Sequence, residues 1–309
     1  MANHYENFSP YRLSREQIVK LGFPRMNPLG KAVITKDPIF CNNTTGAQFS
    51  NPLEPCVRCG NVFSILYEKA EQCLYHWGKL RSVFWTCCDA PEDSRGCSLA
   101  SSHVWSGLRS FPSTFGPLEG YLRTIPGIHQ LGYFNPFIYA LDCEMVFTRG
   151  GMNLARVTVV AVNGRKVYNW LVRPESRIID YNTRFSGITA QDYRSGPFKT
   201  LREVQRDLMG FISSETILIG HGLENDLRAL KLVHPTIIDT SVVFPHHLGL
   251  PYKHGLKSLV SRVLGRKIQE SDSGHDSYED AWACVELMMW KIRKDQEEQE
   301  QYATLEEAC

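Results

Sequence analysis

Two carboxylates stand two positions apart in an apolar stretch, YALDCEMVF at residues 139–147. Side chains alternate across a strand, so Asp142 and Glu144 would share one face and the apolar residues between them the other. Burying one unpaired charge costs several kcal/mol, and a second like charge beside it adds repulsion. The pattern therefore predicts that something strongly positive lies between these two acids.

Three more residues able to do chemistry follow. Asp226 comes after the apolar run TILIGHG (216–222), in the first turn of a predicted helix, and His275 precedes Asp280 near the start of another. The ends of parallel strands gather ligands, so these acids are expected to meet Asp142 and Glu144. Carboxylates that converge would repel one another unless cations bridge them, and oxygen ligands favour Mg²⁺ or Mn²⁺. Two such ions support in-line phosphoryl displacement, and a neutral histidine supplies a general base.

The elements that must position these residues begin at Phe137. Three runs predict strands, and the second and third are close enough to form a hairpin across Gly164 and Arg165. Strands and helices then alternate, which predicts a mixed α/β sheet with helices on both sides. The predicted strands are 137–147, 153–163, 166–174, 216–222 and 236–240, and the predicted helices are 200–213, 225–232, 255–264 and 276–293.

Cysteines and histidines form a second cluster nearer the amino terminus. Six thiols and two imidazoles are the ligand count for two Cys₃His zinc sites; they are Cys56, Cys59, Cys73, His76, Cys87, Cys88, Cys97 and His103. Because Cys87 and Cys88 are adjacent, we expect them to serve different ions, which favours interleaved sites. The alternative is one zinc ion held by Cys56, Cys59, Cys73 and His76 with the remaining thiols buried. Such closed sites are structural, and without metal the segment should lose its fold.

The order D-x-E, G-H-x₃-N-D and H-x₄-D resembles the DEDDh 3′–5′ exonucleases, which have an RNase H-like fold. The match covers about 137–293. It implies four metal-binding carboxylates and one general base, namely Asp142, Glu144, Asp226 and Asp280, with His275 as the base. A sister subclass has Tyr four positions before the last acid, where this chain has Asp276.

Longer segments narrow the resemblance to the eukaryotic Rex-type RNA exonucleases; they are LDCEM, DYNTRFSGIT (180–189), DTSVVFPHHLGLPYKHGLKSL (239–259) and HDSYEDA. This resemblance implies hydrolysis of single-stranded RNA from its 3′ end to nucleoside 5′-monophosphates, a nuclear location, and elongin A or other transcription proteins as partners. It also implies that Met145 and Asn182 contact the terminal nucleotides, although some relatives have Arg where Asn182 stands. The cysteine pattern resembles a CHORD-type zinc module.

Five segments are predicted along the chain. They are an N-terminal extension with one short helix (1–55), the zinc module (56–110), a linker rich in Pro and Gly with at most one short helix (111–136), the exonuclease domain (137–294) and an acidic tail that frays into solvent (295–309). The tail holds six acids and no base, and removing its charge from the formal total of +1 leaves +7 on residues 1–294. This mild positive charge is compatible with binding a polyanion but is too weak to be evidence for it.

No apolar run approaches the length of a membrane span, and the first residues lack an apolar signal region, so an intracellular location is expected. Two other functions fit the same residues. One is a binding module for RNA or protein that keeps the nuclease fold without its activity, and the other is an exonuclease that acts on DNA 3′ ends.

Overall fold

The computed structural model describes residues 2–35, 53–66, 71–107, 114–127, 137–271 and 274–307. Its helices are α1 (Ala2–Phe8), α2 (Arg15–Lys20), α3 (Thr183–Ser186), α4 (Ala190–Ser195), α5 (Leu201–Met209), α6 (Glu224–Ala229), α7 (Thr240–Val243), α8 (Leu256–Leu264) and α9 (Ser277–Glu307), with a 3₁₀ turn at Ser9–Tyr11.

The first nine strands of the described residues are short: β1 (Arg25–Met26), β2 (Ala32–Thr35), β3 (Leu53–Pro55), β4 (Val62–Ser64), β5 (Cys73–Tyr75), β6 (Leu80–Arg81), β7 (Phe84–Trp85), β8 (Ser98–Ala100) and β9 (Thr114–Leu118). The later strands are β10 (Leu122–Arg123), β11 (Ile138–Thr148), β12 (Gly151–Ala161), β13 (Lys166–Leu171), β14 (Ile178–Asp180), β15 (Ile217–Gly220), β16 (Leu232–Val233) and β17 (Ile237–Asp239).

The central sheet has six strands in the order β13-β12-β11-β15-β17, and β14 also pairs with β11. Strands β11, β12 and β13 are antiparallel, whereas β15 runs parallel to both β11 and β17. The predicted mixed sheet flanked by helices is therefore confirmed, and so is the predicted hairpin of β12 and β13.

Alternation along β11 places its side chains in two separate cores. Tyr139, Leu141 and Cys143 pack into the core that also contains residues of α5 and α6, whereas Ile138 and Ala140 pack into the core formed with α8 and α9. Continuing the same alternation, the even-numbered acids of β11 lie on the side of the sheet that carries α9.

The N-terminal segment is part of these cores, which corrects its prediction as an extension. Phe8 is buried in the core beneath α9, and Leu13, Ile18 and Phe23 are buried in the opposite one. The backbone N–H of Leu13 donates to the carbonyl of Ile237 at 2.8 Å. The one short helix predicted in this segment is confirmed as α2, which begins with a capping box at Ser14, but α1 and the 3₁₀ turn were not predicted.

The described part of the predicted linker, residues 114–127, forms strands rather than a helix. Strand β9 pairs with β2, and β10 pairs in parallel with β16. The prediction that the acidic tail frays is also wrong, because α9 continues through it to Glu307. Asp295 accepts hydrogen bonds at 2.5 Å from both Tyr11 Oη and Lys291 Nζ. Nowhere in the described ranges does a helix have the length and apolar character of a membrane span.

Candidate active site

Strand β11 presents two of the predicted acids at the carboxyl end of the sheet. Asp142 is half-buried and Glu144 is buried, and a register shift follows directly after Glu144. Arg156 of β12 lies opposite Glu144 in the ladder. Because β15 pairs only with the beginning of β11, both acids extend past the end of their parallel neighbour. This is the position where open α/β sheets bind ligands.

Asp226 is brought beside β11 by a tightly held loop between β15 and α6. A Cβ at Gly220 would lie 2.5 Å from Leu223 Cδ1 and 3.1 Å from the carbonyl oxygen of Leu141, so this residue packs closely against β11. Buried Asp239, at the end of β17, accepts from the backbone N–H groups of Gly222 at 3.0 Å and Leu223 at 3.1 Å. The Asp226 carboxylate in turn accepts from the backbone N–H of the residue between Asp142 and Glu144 at 2.8 Å.

Asp280 enters from the first turn of α9 and is oriented by Gln269. The Gln269 amide donates to Asp280 Oδ2 at 2.8 Å, and its backbone N–H donates to Glu279 at 3.0 Å. Two buried oxygens at this site, Glu144 Oε1 and Asp280 Oδ1, have no hydrogen-bond partner among the described residues. An unpartnered buried carboxylate oxygen is costly, and coordination of a cation would relieve that cost.

The electrostatics show that the four acids act on one another. Burial, together with Asp280 and Asp226, raises the pKa of Glu144 to about 9. Burial raises the pKa of Asp226 to about 8 and that of Asp280 to about 6, despite hydrogen bonds to both carboxylates. The pKa of Asp142 is raised well above its ordinary value by burial and by the other three acids. Hard oxygen donors that resist ionisation without a counterion fit Mg²⁺ or Mn²⁺.

These shifts predict how stability depends on pH without added Mg²⁺ or Mn²⁺. A carboxyl with a raised pKa stabilises the fold fully below its unfolded pKa, near 4, and that contribution is lost as pH rises through the folded value. The melting temperature should therefore fall progressively from about pH 4, the unfolded value, until the folded pKa values of about 8 for Asp226 and about 9 for Glu144 are passed. Mn²⁺ should raise it more at pH 9 than at pH 6, because the ion no longer competes with protons. Differential scanning fluorimetry measures both effects, and a flat profile that ignores Mn²⁺ would contradict this assignment.

His275 lies beside the acids on the loop that leads into α9. Its backbone N–H donates to the carbonyl of Phe185 at 2.9 Å, and its ring meets the Phe185 ring edge-on at 5.9 Å. Nδ1 lies 3.7 Å from Asp280 Oδ2, too far for a hydrogen bond. Burial and nearby Lys257 lower the pKa of His275 below 6.5. The ring is therefore neutral at pH 7 and able to accept a proton.

A second loop contacts the loop of His275, and it is part of the quoted segment DYNTRFSGIT (180–189). We call residues 180–188, which include α3, the α3 loop. Gly274 has φ +106°, and a Cβ there would lie 2.3 Å from the Cα of Gly187, so the two backbones touch. The side chains of Gln269, Asp239 and Phe185 were not singled out from the sequence, because the residues around each of them carry no signal of its spatial partner.

The predicted substrate contacts lie at the edge of this site. Met145 is half-buried and packs against the core of α5 and α6. Asn182 precedes α3 with φ 52°, and its Oδ1 accepts from Arg58 of the cysteine-rich module at 3.4 Å. Their contact with a substrate stays a prediction.

The eight cysteine and histidine ligands form two groups of four. Cys56, Cys59, Cys73 and His103 make one group, and His76, Cys87, Cys88 and Cys97 make the other, each with its donor atoms within 4.8 Å of one another. By the same measure, no three of the four active-site carboxylates, all of them described, bring their oxygens within 4.8 Å of one another. The second group lies between members of the first in sequence, so the interleaved arrangement is confirmed. Assigning Cys87 and Cys88 to different groups was wrong, because both thiols approach Nδ1 of His76, at 3.5 and 3.4 Å.

Two independent zinc ions are expected from this grouping. Cys59→Ser and Cys97→Ser should each lower the zinc content from two ions per chain to one, since each removes one ligand of a separate Cys₃His set. Native mass spectrometry counts the retained ions, and the two variants serve as controls for each other. The one-zinc alternative was wrong in its fourth ligand, because His103 and not His76 completes the group of Cys56, Cys59 and Cys73. A wild-type protein with a single ion would contradict the expectation of two.

Comparison with known protein families identifies the domain that contains these residues. Residues 139–288 match the family model RNase_T, described as exonuclease, and this range contains all four acids and His275. The chain therefore carries an RNase_T exonuclease domain, with the mixed sheet and flanking helices described above.

The chain is also homologous to RNA exonuclease family members. It is 41% identical to Exonuclease GOR of Pan troglodytes over 304 residues, and this alignment covers 94% of this chain and 42% of the relative. It is 41% identical over 305 residues to RNA exonuclease 1 homolog of Homo sapiens, covering 94% of this chain and 24% of that protein. RNA exonuclease 3 of Schizosaccharomyces pombe is 38% identical over 256 residues, 79% of this chain and 45% of the relative. The chain thus spans less than half the length of these relatives.

Proposed function

We propose that this chain is a metal-dependent 3′–5′ exoribonuclease of the DEDDh type. The observation that carries the proposal is the meeting of four acids with raised pKa values beside a neutral histidine, inside an RNase_T domain. The RNA exonuclease names of two relatives support RNA rather than DNA as the substrate.

The acids and the histidine have separate roles in this proposal. Asp142, Glu144, Asp226 and Asp280 would hold two Mg²⁺ or Mn²⁺ ions. Such ions, when bound, neutralise charge on the phosphodiester and favour in-line attack by water. His275, neutral at pH 7, accepts the proton of the attacking water at a ring nitrogen. Met145 and Asn182 position the terminal nucleotides, and the two Cys₃His groups hold structural zinc.

A 5′-labelled single-stranded RNA tests reaction class and polarity together. Incubation with Mg²⁺ or Mn²⁺ should produce a ladder that shortens from the 3′ end, and EDTA should abolish it. Immediate release of a labelled mononucleotide would indicate the opposite polarity. Binding without degradation would support the non-catalytic module. A matched DNA oligomer separates the nearer alternative, because equal or faster cleavage of DNA would overturn the RNA assignment.

A nuclear location and elongin A as a partner are also proposed, on the resemblance to Rex-type exonucleases alone. Fluorescence imaging of the tagged protein tests the first, and titration with purified elongin A tests the second.

A further inference from the structure

Arg58 occupies an unusual place between the two cysteines of the C-x₂-C pair. Only 9% of its side chain is exposed, and its guanidinium carbon lies over two aromatic rings, 4.9 Å from the centroid of Tyr75 and 5.1 Å from that of Phe147. Arg58 therefore contacts both the cysteine-rich module, through Tyr75, and β11, through Phe147. A cation held by two aromatic faces is strongly oriented.

From this position Arg58 reaches the start of the α3 loop. Its Nη1 donates to Asp180 Oδ2 at 2.6 Å, and its Nη2 donates to Asn182 Oδ1 at 3.4 Å. The other Asp180 oxygen accepts from the backbone N–H of Asn182 at 2.7 Å. Arg58 thus secures the turn that begins α3, and the left-handed backbone of Asn182 lies within that turn.

The far end of the same loop carries the contacts to His275. The Phe185 carbonyl accepts the His275 N–H, and Gly187 packs directly on Gly274. Asp180 and Phe185 are only five positions apart in the α3 loop, so a shift of Asp180 is expected to move Phe185 as well. Arg184 of this loop also stacks on Trp77 of the module at 4.3 Å, a second contact between the same two parts.

We infer that Arg58 is a positioning residue for His275, through which the cysteine-rich module holds the α3 loop and thereby sets the place of the proposed general base. The inference rests on the proposed function. It gives the module a defined task in the reaction beyond its own folding, since the residue that links the two parts is built into the metal-binding C-x₂-C turn itself.

Arg58→Ala tests this inference through the rate and through one backbone amide. We expect kcat to fall on the order of 10-fold to 100-fold, because small misplacement of a catalytic group has effects of that size. In a His275→Ala background the same substitution should lower the rate no further. The His275 amide, protected by Phe185, should exchange its hydrogen faster in Arg58→Ala, as measured by NMR.

Arg149→Ala is the matched control. Arg149 also joins the nuclease sheet to the module, by donating to the Leu66 carbonyl at 2.5 Å, but it lies on the β11–β12 turn and not on the α3 loop. It should leave kcat and the His275 amide unchanged. If Arg58→Ala loses zinc or fails to fold, Asp180→Asn removes the same ion pair from the nuclease side and takes its place.

A rate within two-fold of wild type, or an equal loss in the His275→Ala background, would overturn the inference. If the wild-type protein degrades no RNA, the proposed function fails instead. The exchange rate of the His275 amide still decides the inference in that case, and an unchanged rate would reject it.

Discussion

Asp142→Asn is expected to lower the rate of RNA hydrolysis by at least about 10³-fold while the fold stays intact. Asparagine keeps the volume of the side chain but removes the negative charge that, together with the other acids, would hold a cation. Catalytic metal ions contribute several kcal/mol of charge stabilisation, and about 4 kcal/mol corresponds to roughly 10³-fold in rate. Single-turnover kinetics with saturating Mn²⁺ measure the loss, and Asp280→Asn should behave in the same way.

Asp207→Asn is the control for that experiment. It makes the same chemical change on α5, where Asp207 is paired with Lys199 and Tyr168 and takes no part in the cluster. Its activity should stay close to wild type. Without added Mg²⁺ or Mn²⁺, Asp142→Asn should also melt a few degrees higher than wild type, since it relieves repulsion. Full activity in Asp142→Asn would remove the carboxylate cluster from the mechanism.

The acids could be predicted from sequence because their chemistry conflicts with their surroundings. Alternation in β11 places Asp142 and Glu144 on one face of a strand whose neighbours are buried, and only a cation resolves that conflict. The mixed sheet flanked by helices could be predicted from strands and helices with clear periodicity, whereas the order of its strands was not predicted. The eight predicted zinc ligands were visible as a count of Cys and His, and the structure brings them together in two groups of four that could each hold a metal ion.

The N-terminal packing could not be predicted in the same way. Phe8 is the last residue of a short helix, and Leu13 and Phe23 lie outside helices and strands. Nothing in their spacing indicates which core they enter. Strands β9 and β10 were likewise hidden by their Pro and Gly content, because pairing with distant β2 and β16 outweighs local propensity.

The grouping of Cys87 and Cys88 was predicted wrongly. Adjacent side chains point apart in an extended strand, which is why Cys87 and Cys88 were expected in different groups. In the structure they follow β7 in a turn, not a strand, and Asp89 directly after them has φ 53°. Such a turn lets two adjacent thiols face one imidazole, and the residue pattern alone did not reveal it.

His275→Ala is expected to slow the chemical step by roughly 10²–10⁴-fold, the usual range for loss of a general base. Binding of Mn²⁺ should persist, because the four carboxylates remain, and isothermal titration calorimetry measures it. The wild-type rate should fall as pH drops below the lowered pKa of His275, since a protonated ring cannot accept the proton of water. The variant should lack this component of the pH profile, and added imidazole should restore part of its rate.

His247→Ala is the matched control, because His247 is an exposed histidine on the loop after α7 and its ring contacts His246 rather than the acids. It should retain wild-type kinetics and the full pH profile. If His275→Ala also stayed within a few-fold of wild type, the proton of the attacking water would have to go elsewhere. The edge-on contact with Phe185 and the backbone bond of His275 would then serve only to anchor the start of α9.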